Sequence, residues 1–222
     1  MNSTKIEWTD ATINPVTGCV HRCDYCYARR QAKRRKHKCQ LCYDFIPHPH
    51  LERLEQLKKS QKAKKIFIDS MWDWNSKGVE EDWLFPIIAK MSECSQHTFQ
   101  ILTKRPEGFS RFIFPENVWL GTSITSSNDM NRVHQLKQSN NDNIRFVSME
   151  PLLGPIDMWL DELDWIIIGA ETGHRKGKIV PHSSWIKRII QNAKTENISI
   201  FIKNNLEWPI AIKEFPNIRN TD

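Results

Sequence analysis

No apolar run in this sequence approaches the roughly 20 residues needed to cross a bilayer. Apolar content is 39% and mean hydropathy is −0.57, which points away from a membrane. The opening Met1–Trp8 has no apolar stretch of the kind a secretory signal needs, so a cytoplasmic protein is expected. Internal repeats, low-complexity stretches and a convincing linker are also missing. At 222 residues the chain then reads as one domain, 1–222, long enough to bury a sizeable core. Negative charge is scarce in the first part: residues 1–65 carry 15 Lys and Arg against 6 Asp and Glu, whereas the remainder carries 17 against 20. The excess centres on Arg29, Arg30, Lys33, Arg34, Arg35, Lys36 and Lys38, with a second group at Lys58, Lys59, Lys62, Lys64 and Lys65. Such asymmetry suggests an anionic partner, most simply nucleic acid held by segment 29–38, although a solvated helix face gives the same pattern.

What recurs is a short β-branched apolar run. Segments 65–70, 98–103, 117–122, 144–150, 164–169 and 198–203 read as strands, several buried on both faces. Helical patterns lie between them. In 79–94, Leu84, Ile87, Ile88 and Met91 share a face, with Pro86 against the assignment. In 184–196, Ser183 or Ser184 is the expected N-cap, and Trp185, Ile186, Ile189, Ile190 and Ala193 form the stripe. Segment 26–38 is expected to be a basic helix. This alternation predicts an α/β fold with parallel strands: a partial or complete (β/α) barrel, or else a doubly wound open sheet. Segment 29–65 stands out as a basic, Cys- and His-containing insertion. Nearly every strand ends in polar groups, at Asp69-Ser70, Thr103-Lys104-Arg105, Thr122-Ser123, Ser148 with Glu150, Glu171-Thr172 and Lys203-Asn204. In α/β barrels the carboxyl ends of the strands carry the active site, although strands must end in polar loops anyway.

Six cysteines in a cytosolic chain argue for metal or catalysis rather than disulfides. Cys19, Cys23 and Cys26 form C-x3-C-x2-C, with Tyr25 directly before the last. Three thiolates so placed can hold three irons of a [4Fe-4S] cluster and leave the fourth open for chemistry. That open iron suits the amino and carboxylate groups of S-adenosylmethionine (SAM), whose one-electron cleavage gives a 5′-deoxyadenosyl radical; an external electron donor is then required. Tyr25 would place its ring beside the cluster, where the adenine packs. Zinc competes for the same residues. Cys23, Cys26, Cys39 and Cys42 spell C-x2-C-x12-C-x2-C, a zinc-ribbon spacing that leaves Cys19 idle. A mixed arrangement keeps the cluster on Cys19, Cys23 and Cys26 and joins Cys39 and Cys42 to His48 and His50 around a second metal, with Pro49 restricting the geometry. For His48 and His50 the plainer reading is loop polarity. Cys94 reads as a buried small hydrophobe.

In these residues the chain resembles the radical SAM superfamily. More narrowly it resembles a phage-associated family whose members open on Lys-Ile-Glu-Trp-Thr-Asp-Ala-Thr-x-Asn-Pro-Val-Thr-Gly-Cys, matched here by Lys5 through Cys19. Tyr27-Ala28, His48 to Leu54, Gln96 to Phe99, Leu102 to Pro106, Val118 to Gly121 and Ser148 to Ile156 extend the likeness along almost the whole chain. The resemblance implies a radical SAM-like barrel, a [4Fe-4S] cluster and SAM, without supplying a substrate. It also exposes an absence. The Gly-Gly-Glu-like segment that holds the SAM amino group in such enzymes is here Asp69-Ser70-Met71-Trp72-Asp73, where Asp69 or Ser70 could accept that hydrogen bond. Glu150 and Glu171, at strand ends, are candidates for the SAM ribose hydroxyls or for work on substrate, with a structural hydrogen bond as the plainer alternative. Small residues in Gly169–Gly173 would let an adenosine approach. Lys104 and Arg105 could meet a phosphate or carboxylate, and Trp72 and Trp74 a base, unless they fill the core. The expected function is a radical SAM-like enzyme for modification or repair of nucleic acid or a nucleotide-like molecule. The alternative is a zinc-stabilised nucleic-acid-binding protein without redox chemistry.

Overall fold

The computed structural model describes residues 2–34, 39–139, 142–157 and 160–217. Arg35, Lys36 and Lys38 of the basic segment lie outside these. Strands and helices follow in the order β1 (Asn2–Ser3), β2 (Ala11–Thr12), β3 (Val16–Thr17), α1 (Tyr27–Arg34), α2 (Gln40–Asp44), β4 (His48–Pro49), β5 (Lys65–Phe67), α3 (Glu81–Glu93), β6 (Thr98–Thr103), β7 (Val118–Ser123), α4 (Met130–Lys137), β8 (Arg145–Met149), β9 (Trp165–Ile168), α5 (Ser183–Thr195) and β10 (Ser199–Ile202). The main sheet runs β1-β2-β5-β6-β7-β8-β9-β10. Within it only β1 pairs antiparallel; from β2 to β10 the seven strands are parallel and, β3 and β4 apart, follow chain order. It is a curled half-barrel, so the partial form of the expected barrel is the one adopted.

Both faces of the sheet are apolar, which is why its strands read as continuous hydrophobic runs. On one face Ile101, Leu120, Val147, Ile166 and Ile200 pack with Leu84, Ile87 and Met91 of α3 and Ile186, Ile189 and Ala193 of α5. On the other, Phe67, Trp119, Phe146, Trp165, Ile167 and Phe201 form a second cluster with Trp8 and without helix residues. The period-2 alternation of a strand separates these sets residue by residue. Further along the inner file the side chains change character: Trp119 gives way to Ser123, Phe146 to Ser148 and Glu150, and Phe201 to Lys203. The half-barrel thus has an aromatic floor and a polar mouth at the carboxyl ends of its strands.

One expectation about the helices needs correction, and one is met despite Pro86. α5 is capped by His182, whose Nδ1 accepts from the Ser184 amide at 3.3 Å, and Ser183 and Ser184 already lie inside the helix. Pro86 lies inside α3, beyond its first turn. It is exposed, and the buried Leu84, Ile87 and Met91 hold the helix despite the missing amide. α1 starts at Tyr27, directly after Cys26. No described helix is long and apolar enough to cross a membrane.

Candidate active site

The cysteine loop is shaped by the chain around it. Gly18 has φ +103° and lies so close to the segment after α2 that a Cβ would come within 2.2 Å of the Ile46 carbonyl carbon and oxygen. Its amide donates to Met71 O at 3.0 Å, and the Cys19 amide to Phe45 O at 3.2 Å. Cys19, Cys23 and Cys26 are all half-buried free thiols. The Arg29 amide donates to Cys26 Sγ at 3.3 Å, and Arg29 Nη2 to Cys19 O at 2.6 Å, so the first turn of α1 closes over the loop. Burial pushes the Cys19 thiol up to about 11.

All three thiols line one cavity of about 190 Å³ at the mouth of the half-barrel. Every polar strand end noted in the sequence contributes to it: Asp69 and Ser70, Lys104, Ser123, Ser148 with Glu150, Glu171 with Thr172, and Lys203. Tyr25 and Trp72 also line it, above a floor that includes Trp8 and Phe67.

The candidate contacts differ in what else they hold. Both Asp69 oxygens accept from the Leu102 amide, at 3.2 and 3.0 Å, and burial pushes this carboxyl well above its ordinary range. Ser70 Oγ exchanges hydrogen bonds with the Asn14 side chain at 3.0 and 3.2 Å, while its carbonyl accepts from Tyr27 OH at 2.8 Å. Glu150 Oε2 accepts from Trp8 Nε1 at 3.0 Å, and its Oε1 pairs with Lys203 Nζ at 2.6 Å. Glu171 is held at both oxygens by Arg175, at 2.7 Å each, which keeps its carboxyl below the usual range. Burial raises Tyr25 to about 12, against the pull of Lys104, whose Nζ lies 5.7 Å from the ring centre. At Gly169 a Cβ would meet Glu150 Oε1 at 2.7 Å, so the glycine lets the Glu150 and Lys203 side chains lie against the backbone, while Ala170 and Thr172 of the same segment line the cavity. Trp74 is fully buried and Trp72 donates to Ile68 O at 2.9 Å, so both belong to the core and only Trp72 reaches the cavity.

Sequence reasoning missed Lys203 as anything more than a strand end, and it missed the hub around Asp73. Asp73 accepts from Thr103 Oγ1 at 2.7 Å and the Lys104 amide at 2.9 Å, and its Oδ2 lies 3.4 Å from His21 Nε2. Burial alone would raise this carboxyl, but His21 and Lys104 hold it below its ordinary value. His21 sits inside the cysteine motif, so the hub ties the loop to the end of β6. The available signal was one acidic residue between two tryptophans, opposite a Thr-Lys-Arg strand end.

The donor set suits an open iron–sulfur cluster: three thiols from one loop, at the edge of a cavity with polar walls and cationic groups at Lys104 and Lys203. Cys39 and Cys42 lie elsewhere. They meet His48 and His50, and the four ligand atoms are within 4.8 Å of one another. This group could hold a metal; it contains neither Cys23 nor Cys26, and none of its members lines the cavity. Cys94 is buried at the end of α3.

A second groove, lined by Cys23, Asp24, Cys26, Arg29, Arg30, Lys33 and Arg34, runs from the loop along α1. The basic helix and the cysteine loop therefore share a surface.

Among solved structures, a cysteine-to-serine mutant of spore photoproduct lyase is similar, with a TM-score of 0.52 and 13% identity, over 76% of this chain and 58% of the lyase. The likeness is one of fold, and the chain spans little more than half the lyase's length. No curated protein matches. Residues 3–216 match the family described as "Protein of unknown function (DUF5131)", and the chain belongs to that family.

Proposed function

We propose that this protein is a radical SAM-type iron–sulfur enzyme that modifies or repairs nucleic acid or a nucleotide-like substrate. The observation that carries the reading is the convergence of three free thiols, from one loop, on the polar mouth of a half-barrel cavity. Cys19, Cys23 and Cys26 would hold a [4Fe-4S] cluster. When bound, the cluster would supply one electron to the SAM sulfonium, whose cleavage would give methionine and a 5′-deoxyadenosyl radical.

The chain's own residues do the rest. Ser70, and Asp69 beside it, offer oxygen acceptors to the SAM amino group in place of the missing Gly-Gly-Glu segment. Asp69 is already engaged with the Leu102 amide and Ser70 Oγ with the Asn14 side chain, so each would offer only a remaining lone pair. Lys104 and Lys203 are cations placed to meet carboxylate or phosphate. Glu150 holds Lys203 in position and is the remaining acceptor for ribose hydroxyls. Glu171 is committed to Arg175 and shapes the wall. Trp8, Phe67 and Trp72 keep the inner end of the cavity apolar, which excludes water from a reactive intermediate. The basic groove of α1 gives a phosphate backbone a path to the mouth. A one-electron donor completes the system.

Anaerobic purification followed by iron and sulfide analysis tests the cluster. A brown protein whose colour is lost in Cys23→Ala is expected, and a colourless, iron-free protein after reconstitution sinks the reading. Incubation of the reduced protein with SAM should then release 5′-deoxyadenosine. Intact SAM alongside a full cluster would reduce the role to cluster binding. The competing reading, a zinc-stabilised nucleic-acid-binding protein, draws on Cys39, Cys42, His48 and His50. It leaves the three cavity thiols without a role.

A further inference from the structure

The Cys/His group outside the cavity has a construction that polar loops do not require. Cys39 stands at the N-cap of α2 and Cys42 one turn later. The chain then reverses at Phe45, whose φ of +59° is left-handed, and enters β4. His48 and His50 are two apart on an extended segment, so both rings fall on the same side and Pro49 points away. Pro49 pairs with Val16 in β4, which removes the geometric objection to it. Cys39 Sγ lies 3.3 Å from His48 Nε2, and Cys42 Sγ lies 3.4 Å from His48 Nε2 and 3.2 Å from His50 Nε2. A tetrahedral zinc with Zn–S near 2.3 Å and Zn–N near 2.0 Å sets its sulfur and nitrogen ligands about 3.5 Å apart.

The independent sign lies on the far side of each ring. His48 Nδ1 is 2.7 Å from Ile46 O, and His50 Nδ1 is 3.3 Å from Glu52 Oε1. Each imidazole thus has an acceptor for an Nδ1 proton, and that tautomer leaves Nε2 as a lone-pair donor facing the thiols. A backbone carbonyl behind one ligating histidine and a carboxylate behind the other is the usual outer shell of a zinc site.

We propose that Cys39, Cys42, His48 and His50 bind one zinc ion, with both thiols deprotonated on binding, and that this ion braces the wall of the cysteine loop. The S2N2 donor set suits a borderline-soft tetrahedral cation. The wall is the segment between the ligands. Phe45 O accepts from the Cys19 amide, Ile46 abuts Gly18, Thr17 pairs with His48, and the His50 amide donates to Pro15 O at 2.6 Å. Arg53, just beyond, donates to Asn14 O at 2.7 Å and Thr17 Oγ1 at 3.1 Å. A cation pinning 39 to 50 therefore fixes the surface against which Cys19 is set.

The binding half stands apart from the cluster reading; the bracing half is read without iron, by amide hydrogen exchange over residues 14–26. Full-length protein is compared with Cys42→Ser, with His50→Ala, and with a variant carrying Ala at Cys19, Cys23 and Cys26. One zinc per chain is expected in the wild type and in the three-alanine variant, and none in Cys42→Ser or His50→Ala. Cobalt added to metal-free wild type should give the visible bands of tetrahedral S2N2 ligation, a measurement that needs no variant. Glu52→Ala, outside the ligand set, should weaken zinc about 10- to 100-fold. Absence of both zinc and cobalt bands in the wild type overturns the site, and so does loss of zinc in the three-alanine variant. Unchanged exchange over 14–26 on zinc removal overturns the bracing role.

Discussion

Gly18 is the residue on which the loop geometry turns. Its φ of +103° is a conformation that L side chains rarely adopt, and an added Cβ would sit 2.2 Å from backbone atoms that cannot rotate away. Gly18→Ala should therefore lower stability by about 2 kcal/mol or more and lower iron loading as the loop shifts. Gly177, at φ +75° with nothing near its Cβ position, serves as the control. Ala there should cost only about 1 kcal/mol and leave iron unchanged. Paired thermal melts and iron assays check both, and equal effects would show that sterics at Ile46 are not the cause. Glu171 offers a titration at the same scale. Arg175 depresses its pKa below the ordinary 4.5, so the stability it contributes is complete above that value and is lost as pH falls through the lower, folded value. Melting temperature against pH should fall less steeply below about 4.5 in Glu171→Gln than in the wild type. Identical slopes would mean that the pair contributes nothing on folding.

At the scale of elements, α1 joins two features that the sequence placed side by side. Lys33 and Arg34 are exposed and line the groove that starts at Cys23 and Cys26. Charge reversal of both should weaken binding of a DNA or RNA oligonucleotide. The slope of log K against log salt should shrink by about 0.7 to 0.9 for each phosphate no longer neutralised. Unchanged binding returns the run to a solvated helix face. The parallel strands were legible because both faces of the sheet are buried, so Ile166-Ile167-Ile168 is apolar throughout although alternate residues face different clusters. The ring of polar strand ends was legible for the complementary reason that the inner file must stop being aromatic where the cavity opens. Less legible was whatever depends on distant partners. Lys203 and Glu150 are 53 positions apart in the numbering and meet only across the sheet. Cys39 and Cys42 fitted a ribbon with Cys23 and Cys26 as well as a group with His48 and His50. The turn at Phe45, which selects the second pairing, carries no glycine to announce it. Likewise His182 takes the cap from the serines behind it, since a ring nitrogen can accept the same amide.

Over the whole molecule, a half-barrel leaves an open mouth and a free edge, and the chain treats them differently. The carboxyl-end opening is the cavity. The free edge of β10 is covered by the segment that follows it, antiparallel to the strand: the Ile202 amide donates to Ile212 O and the Glu214 amide to Ile200 O, both at 2.9 Å. Phe215 lies 5.2 Å from the Trp165 ring centre and 5.5 Å from Phe201, Trp165 Nε1 donates to Glu214 O at 2.9 Å, and Lys213 pairs with Glu7 at 2.7 Å. The first and last parts of the chain thus meet beside the carboxyl end of β10, where Lys213 Nζ also donates to Ile202 O and the Asn204 amide to Glu7, next to the aromatic floor that lines the cavity at Trp8 and Phe67. Phe215 is only partly buried, so its removal forfeits part of an aromatic side chain's transfer energy. Phe215→Ala should cost about 1 to 3 kcal/mol. Because Trp165 also touches Trp8, at 6.2 Å between ring centres, the change should be felt at the inner end of the cavity. Weaker SAM binding together with a shift in tryptophan emission would show that the floor is held from the β10 edge. A loss of stability with unaltered SAM affinity would separate the two, making the C-terminal segment a cover for the core with no influence on the site.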